Sequence, residues 1–416
     1  MIDFRTYKLE NGLRLIVHED RSTPLIAMNL LYDAGSRDED PSKTGMAHLL
    51  EHLMFCGTEN IPEYDLPLQL AGGENNAFTN NDITNYYITL PAANVETAFW
   101  LESDRMQAPG FSDRKLEVQK SVVIEEFRQR YLNQPYGDAM LLLRPLAYKS
   151  HPYRWPTIGV EPEHILGITL EDVRHFFDRH YNPGKAILTL TGNITPDRAY
   201  ELSQKWFGPI QAGKDHVRKL PAEPEQTGER RLNIERNVPA DALYKAWHMG
   251  PRSGSDFHTM DVITDLLAGG ESGRLYNRVV RDLNLFSEIN AYITSDIDPG
   301  LVVVTGKIMK GVDIDKAEQA VDQVIQELID SGIPDNELEK VKNRYESSSV
   351  LSNTSILNKA MNLSVFELLG SVSSINTEVE AYRAVSKLMI SEAANMYLKP
   401  ANCSTLWYLA SKNQGK

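Results

Sequence analysis

The chain has 416 residues, too long for one ordinary compact core, so two domains or two halves are expected. Apolar residues make up 42% and charged residues 24%, the usual balance of a globular protein with a buried core. The formal net charge of −14 argues against nucleic acid as a partner, because binding phosphate needs a basic surface, and the acidic excess reads as solubility. The two cysteines, Cys56 and Cys403, cannot make a disulfide framework and fit a reducing compartment. Met1-Ile2-Asp3-Phe4-Arg5-Thr6-Tyr7 lacks the basic start and apolar core of a signal peptide, and no apolar run is long enough to span a bilayer. The expected compartment is the cytoplasm, or the periplasm if a leader has been removed.

In chain order, Asn11-Gly12 between Tyr7-Lys8-Leu9-Glu10 and Leu13-Arg14-Leu15-Ile16-Val17 predicts a hairpin. Residues 25–32 read as a strand, a helix is expected from Thr44 through Leu53, and Tyr86-Tyr87-Ile88-Thr89-Leu90 is strand-like. Val95 to Met106 and Asp113 to Leu132 have the apolar spacing of amphipathic helices. Residues 186–191 read as a strand ending at Gly192-Asn193. The stretch 211–230 turns polar and rich in Pro, Gly and charge, which makes 216–230 the expected linker between an N-terminal half, 1–215, and a C-terminal half, 231–416. Beyond it come strands near 231–248, a helix from about Phe257, a Gly-rich turn at 269–273 and another helix, then helical stretches near 312–332 and 335–370. Two halves of similar size and element order suggest an internal duplication.

The strongest chemical signal is His48-Leu49-Leu50-Glu51-His52. Residues four apart share a helix face, so His48 and His52 can present two imidazoles to one ion. Glu51, three residues after His48, can reach a metal-bound water without being a ligand. Hydrolysis needs that arrangement, because zinc lowers the pKa of a bound water and a carboxylate takes its proton. The glutamate stands fourth where the ordinary zincin order puts it second. A catalytic zinc needs a third protein ligand and one open position. Glu125-Glu126, inside the apolar Val122-Val123-Ile124 and Phe127, supply two carboxylates where buried glutamate is unusual, and the physics does not choose between them. Cys56, four residues after His52, reads as a small buried hydrophobe. The other histidines share no ligand spacing; His175 and His180 read as caps or surface groups.

Taken with their surroundings, these residues resemble the inverted-zincin family of pitrilysin, insulysin and mitochondrial processing peptidase. The matching stretches run from Gly45 through Thr58, then Asn76-Ala77-Phe78-Thr79, Thr84-Asn85-Tyr86-Tyr87, Val122-Val123-Ile124-Glu125-Glu126, Tyr181-Asn182-Pro183, Leu190-Thr191-Gly192-Asn193 and Gly269 through Tyr276. The resemblance implies Glu126 as the third zinc ligand. It also makes Asn76-Ala77 the edge strand that pairs with a substrate backbone. The family's acidic residue seven positions before that ligand is here Gln119, with Glu117 close but out of register.

Active family members also carry an arginine and, seven residues on, a tyrosine in the helix after the Gly-rich turn. Those positions are Val280 and Ser287 here, with Arg281 and Glu288 one residue off. The resemblance therefore implies a homologous partner chain that supplies the pair, with the active site between facing halves. A homodimer is the other arrangement, and no nucleic acid or membrane partner is expected. The length is like that of half-size members that work as two-chain assemblies. The reading is thus an α+β fold of two homologous halves, each a mostly antiparallel or mixed sheet with helices covering one face. The function read is a zinc metalloendopeptidase, with His48, His52 and Glu126 as metal ligands and Glu51 as general base. The rival reading is a non-catalytic structural or regulatory subunit, which the missing pair favours and the complete metal motif opposes.

Overall fold

The computed structural model describes residues 1–214 and 217–411. Residues 215 and 216, where the expected first half ends and the linker 216–230 begins, lie outside the described residues. In chain order the elements are β1 (Arg5–Lys8), β2 (Arg14–Glu19), β3 (Leu25–Tyr32), α1 (Met46–Met54), α2 (Asp65–Leu70), β4 (Glu74–Thr79), β5 (Thr84–Pro91), α3 (Val95–Gln107) and α4 (Asp113–Phe127). Next come α5 (Ala139–Ala147), α6 (Pro162–Leu166), α7 (Leu170–His180), β6 (Ala186–Gly192), α8 (Pro196–Trp206), β7 (Arg230–Arg236), β8 (Ala242–His248) and α9 (Phe257–Ala268). The last are β9 (Phe286–Ile293), β10 (Leu301–Ile308), α10 (Ile314–Ser331), α11 (Asp335–Ser352), α12 (Ile356–Leu368), α13 (Glu378–Ala384), α14 (Lys387–Tyr397) and β11 (Cys403–Ala410). The helical stretch expected over 335–370 is two helices, because Ser355 caps a new one by accepting from the Asn358 N–H.

The chain forms two compact units, neither contiguous in sequence. One holds Met1–Phe127, Trp155–Leu220 and Val350–Thr377; the other holds Arg128–Arg154, Pro221–Ser349 and the residues from Glu378 on. In the first unit a six-stranded sheet has the order β1-β2-β6-β3-β5-β4, with β2 and β6 parallel and the other pairs antiparallel. β6 is buried along its whole length and β3 from Ile26 to Tyr32, so these strands read as apolar runs and not as alternations. Both faces of these central strands are covered. α12 lies on β3 and β6, while α3 packs on β3 and β5 and α8 on β2. Beneath α12 a buried polar ladder replaces part of the apolar contact. The Asn29 amide donates to Asn85 Oδ1 at 2.9 Å and to Ser364 Oγ at 2.9 Å, and the Ser364 hydroxyl lies 2.8 Å from Thr189 Oγ1.

The second unit's five-stranded sheet has the order β7-β11-β8-β10-β9, again with one parallel pair, here β7 and β11. That is the first sheet's order without its outermost strand, with β7, β11, β8, β10 and β9 standing where β2, β6, β3, β5 and β4 stand. α5 covers β11 and β8 as α12 covers β6 and β3. The fold is α+β, built of two homologous halves.

Candidate metal centre

α1 carries the metal motif. Within it only His48 and His52 keep accessible surface; the other residues from Met46 to Met54, Glu51 included, are buried. The helix starts at Gly45, whose φ of +92° lies in the left-handed region that favours glycine. A Cβ there would meet the Ile158 carbonyl oxygen at 2.7 Å. The buried Glu39 carboxylate accepts from the N–H groups of Gly45 at 3.0 Å and Ala47 at 2.9 Å, satisfying donors that a helix start leaves open.

The two imidazoles meet edge to face, with ring centroids 4.7 Å apart. The third group comes from α4. Its apolar face, Leu116, Val123, Ile124 and Phe127, is buried, and the helix packs on α1. Successive helical residues differ by about 100°, so adjacent glutamates here point differently. Glu125 is exposed, while Glu126 Oε2 stands 3.5 Å from His52 Nε2 and 3.8 Å from His48 Nε2. Ligand atoms of His48, His52 and Glu126 all lie within 4.8 Å of one another, the one such group of three among the described residues. In a tetrahedral zinc site with bonds of roughly 2.1 Å, ligand atoms sit about 3.4 Å apart. The three side chains therefore fit a zinc ion with little rearrangement.

Glu51 lies on the inner side of the same helix. Its Oε2 accepts from the Thr79 hydroxyl at 2.5 Å. Burial pushes its carboxyl above the ordinary range, and the Thr79 bond opposes that shift. Behind it, Arg105 is buried and paired with buried Glu102, its guanidinium 4.2 Å from the Tyr86 ring centroid.

Asn76 and Ala77 lie on β4, an edge strand of the sheet. Their partners on β5 are Tyr87 and Tyr86, and among the described residues the other edge of β4 carries no sheet neighbour. Gln119 donates to Cys56 Sγ at 3.1 Å, while Glu117 is bound to Lys120 at 2.8 Å. Cys56 is half-buried and outside the three-residue group. His180, read as a cap or surface group, is instead buried, its ring 4.6 Å from that of Phe176.

In the other half, Val280 packs against the core and Ser287 sits on β9, its hydroxyl donating to the Lys307 carbonyl at 3.3 Å. Arg281 pairs with neighbouring Asp282 at 2.9 Å and Glu288 with Lys307 at 3.0 Å. No local pattern assigns a role to Thr79 or Glu39. A contact across 28 residues leaves no periodic trace. Glu39 precedes a glycine start and does not stand in the usual N-cap position.

Residues 14–154 match the family model "Insulinase (Peptidase family M16)", and residues 167–345 match "Peptidase M16 inactive domain". The zinc protease PqqE of Helicobacter pylori is 28% identical over 340 residues, covering 80% of this chain and 76% of that protein. The crystal structure of a protease from Helicobacter pylori superposes with a TM-score of 0.91 at 25% identity, covering 98% of this chain and 100% of that one. The periplasmic protease PqqL of Escherichia coli shares the fold, with a TM-score of 0.81 at 17% identity; 99% of this chain covers 48% of that one.

Proposed function

The chain belongs to peptidase family M16, the insulinase family, and from that premise we propose that it is a zinc metalloendopeptidase acting on unfolded peptides. The observation that carries the reading is the convergence of His48, His52 and Glu126, with Glu51 buried on the same helix. Zinc held by those three groups would polarise a peptide carbonyl and acidify a water. Glu51 takes the proton of the attacking water and passes it to the leaving amine nitrogen. The free edge of β4 at Asn76-Ala77 holds the peptide extended by backbone hydrogen bonds, so selection follows length and extension more than side-chain identity.

Val280 and Ser287 cannot stabilise charge on the attacked carbonyl, so a homologous partner chain supplies an arginine and a tyrosine in a two-chain assembly. The same departure favours a second reading, a non-catalytic subunit. The test is hydrolysis of a mixed peptide library by the zinc-loaded chain, alone and with its partner, beside Glu51→Gln. Turnover lost in the variant supports the peptidase; bound zinc with no turnover in either arrangement supports the subunit. No helix among the described residues is long and apolar enough to cross a membrane. The two unpaired cysteines support the cytoplasm, and recovery from a periplasmic fraction would overturn that placement.

A further inference from the structure

We propose that Thr79 is a positioning residue that fixes the Glu51 carboxylate in register with the strand on which substrate lies. The proposal rests on the peptidase reading above. Among the described residues, Thr79 is the hydroxyl donor to Glu51, at 2.5 Å. Thr79 is also the last residue of β4, paired with Thr84 on β5.

That end of the hairpin is held firmly. The Asn80 N–H donates to the Ile83 carbonyl at 2.9 Å, and Asn80 Oδ1 accepts from the N–H groups of Asp82 and Ile83 at 2.8 and 2.9 Å. The Ser36 and Arg37 N–H groups donate to the Asn80 and Asn81 carbonyls at 3.1 and 2.9 Å, and Arg37 pairs with Asp82 at 2.9 Å. Side chains alternate along a strand, so Thr79 and Ala77 face the same way, while the free edge of β4 lies in the plane of the sheet.

The proton count fixes the direction of the bond. A threonine hydroxyl has one proton. An ionised carboxylate has none, so Thr79 is the donor to Glu51 at 2.5 Å; its other acceptor within reach, Thr84 Oγ1 at 3.4 Å, spends its own proton on the Ala34 carbonyl at 3.0 Å and is the farther and weaker of the two. One carboxylate oxygen is thereby anchored, and the other is left to meet the attacking water. Substrate backbone and general base then share one rigid hairpin end, so a peptide seated on β4 is in register with Glu51.

The test uses the full zinc-loaded chain, in whatever assembly turns peptide over, with Thr79→Val and Thr79→Ser. Valine keeps the shape and removes the donor; serine restores the donor. The expected result is a kcat lowered roughly 10- to 100-fold in Thr79→Val, with KM and zinc content unchanged and kcat restored in Thr79→Ser. Wild-type kcat in Thr79→Val, equal loss in both variants, or loss of zinc with activity would each overturn the proposal. Crystal structures of the zinc-loaded wild type and Thr79→Val supply a second readout. The Glu51 carboxylate is expected to turn away in the valine variant. An unchanged Glu51 orientation refutes the proposal even if the wild type cleaves nothing, whereas wild-type inactivity by itself counts against the peptidase reading.

Discussion

Leu363 on α12 is fully buried and packs with Ile16, Leu31, Ile83, Ile187 and Val372. α12 therefore completes the core of the unit that carries the metal motif, although nearly the whole chain separates it from β2. Leu363→Ala removes the apolar contact and leaves a cavity, a loss of about 3 kcal/mol for a buried leucine. For a unit of this size, each kcal/mol moves the melting temperature by about 2–4 °C, so a shift of roughly 6–12 °C is expected. Ser364→Ala tests the polar part of the same contact. It strands one Asn29 amide proton and the Thr189 hydroxyl in a fully buried layer, at a cost of about 1–3 kcal/mol. Calorimetry of the full chain measures both variants. Fluorescence assigns the transition, because Trp100, Trp155 and Trp206 lie in the first unit and Trp247 and Trp407 in the second. Zinc should be released in the same transition that the variants lower. A shift under about 2 °C in Leu363→Ala, or one confined to the second unit, would refute the assignment of α12 to the core of the metal-bearing unit.

Glu126→Gln should weaken zinc binding more than about 100-fold while Glu125→Gln leaves it unchanged, as measured by competition with a chelator; the reverse order would transfer the ligand role to Glu125. Burial works to raise the Asp172 carboxyl, but the Lys43 ammonium at 2.6 Å and the Thr169 bonds outweigh it and hold the group down to about 2. Its contribution to stability is thus full above the unfolded value of about 3.9 and is lost as pH falls towards the folded value. Asp172→Asn should flatten acid unfolding between those limits, and an unchanged acid profile would remove Asp172 from the account. Burial pushes the Cys403 thiol up to about 12 and raises that of Cys56, against the Gln119 bond. Iodoacetamide at neutral pH should therefore modify neither thiol until the chain is unfolded, and rapid labelling of the native protein would contradict this burial.

What the sequence made legible follows from range. His48, Glu51 and His52 lie within one helical turn or so, and the amphipathic face of 113–127 is a local pattern, so both could be read directly. The residues alone left Glu125 and Glu126 open, because the answer depends on the rotation of α4 against α1, which no single helix specifies; the resemblance named Glu126, and it is Glu126 that stands beside the two histidines. α12 could be read as a helix, but not as a cover for β3 and β6, because its apolar spacing is the same whatever sheet it meets. The Thr79–Glu51 bond likewise joins residues on different elements.

The second half keeps the duplicated frame without the metal motif. α9 follows β8 as α1 follows β3, and it reads His258-Thr259-Met260-Asp261-Val262 where α1 reads His48-Leu49-Leu50-Glu51-His52. His258 and Asp261 repeat the spacing of His48 and Glu51, and Val262 stands where that spacing puts a second histidine. α11 follows β10 and α10 as α4 follows β5 and α3, yet here its residues serve local pairs. Tyr345 stacks on Tyr382 with centroids 3.4 Å apart, and the Tyr382 hydroxyl donates to Asp261 at 2.5 Å. His258 pairs with Glu378 at 3.1 Å, and Glu346 is taken by Arg383. Val262→His alone should therefore not create a zinc site, because His258 is already paired with Glu378, Asp261 with Tyr382 and Glu346 with Arg383. Zinc titration of that variant should give one site per chain, as in the wild type, and a second site of comparable affinity would show that these pairs yield to metal.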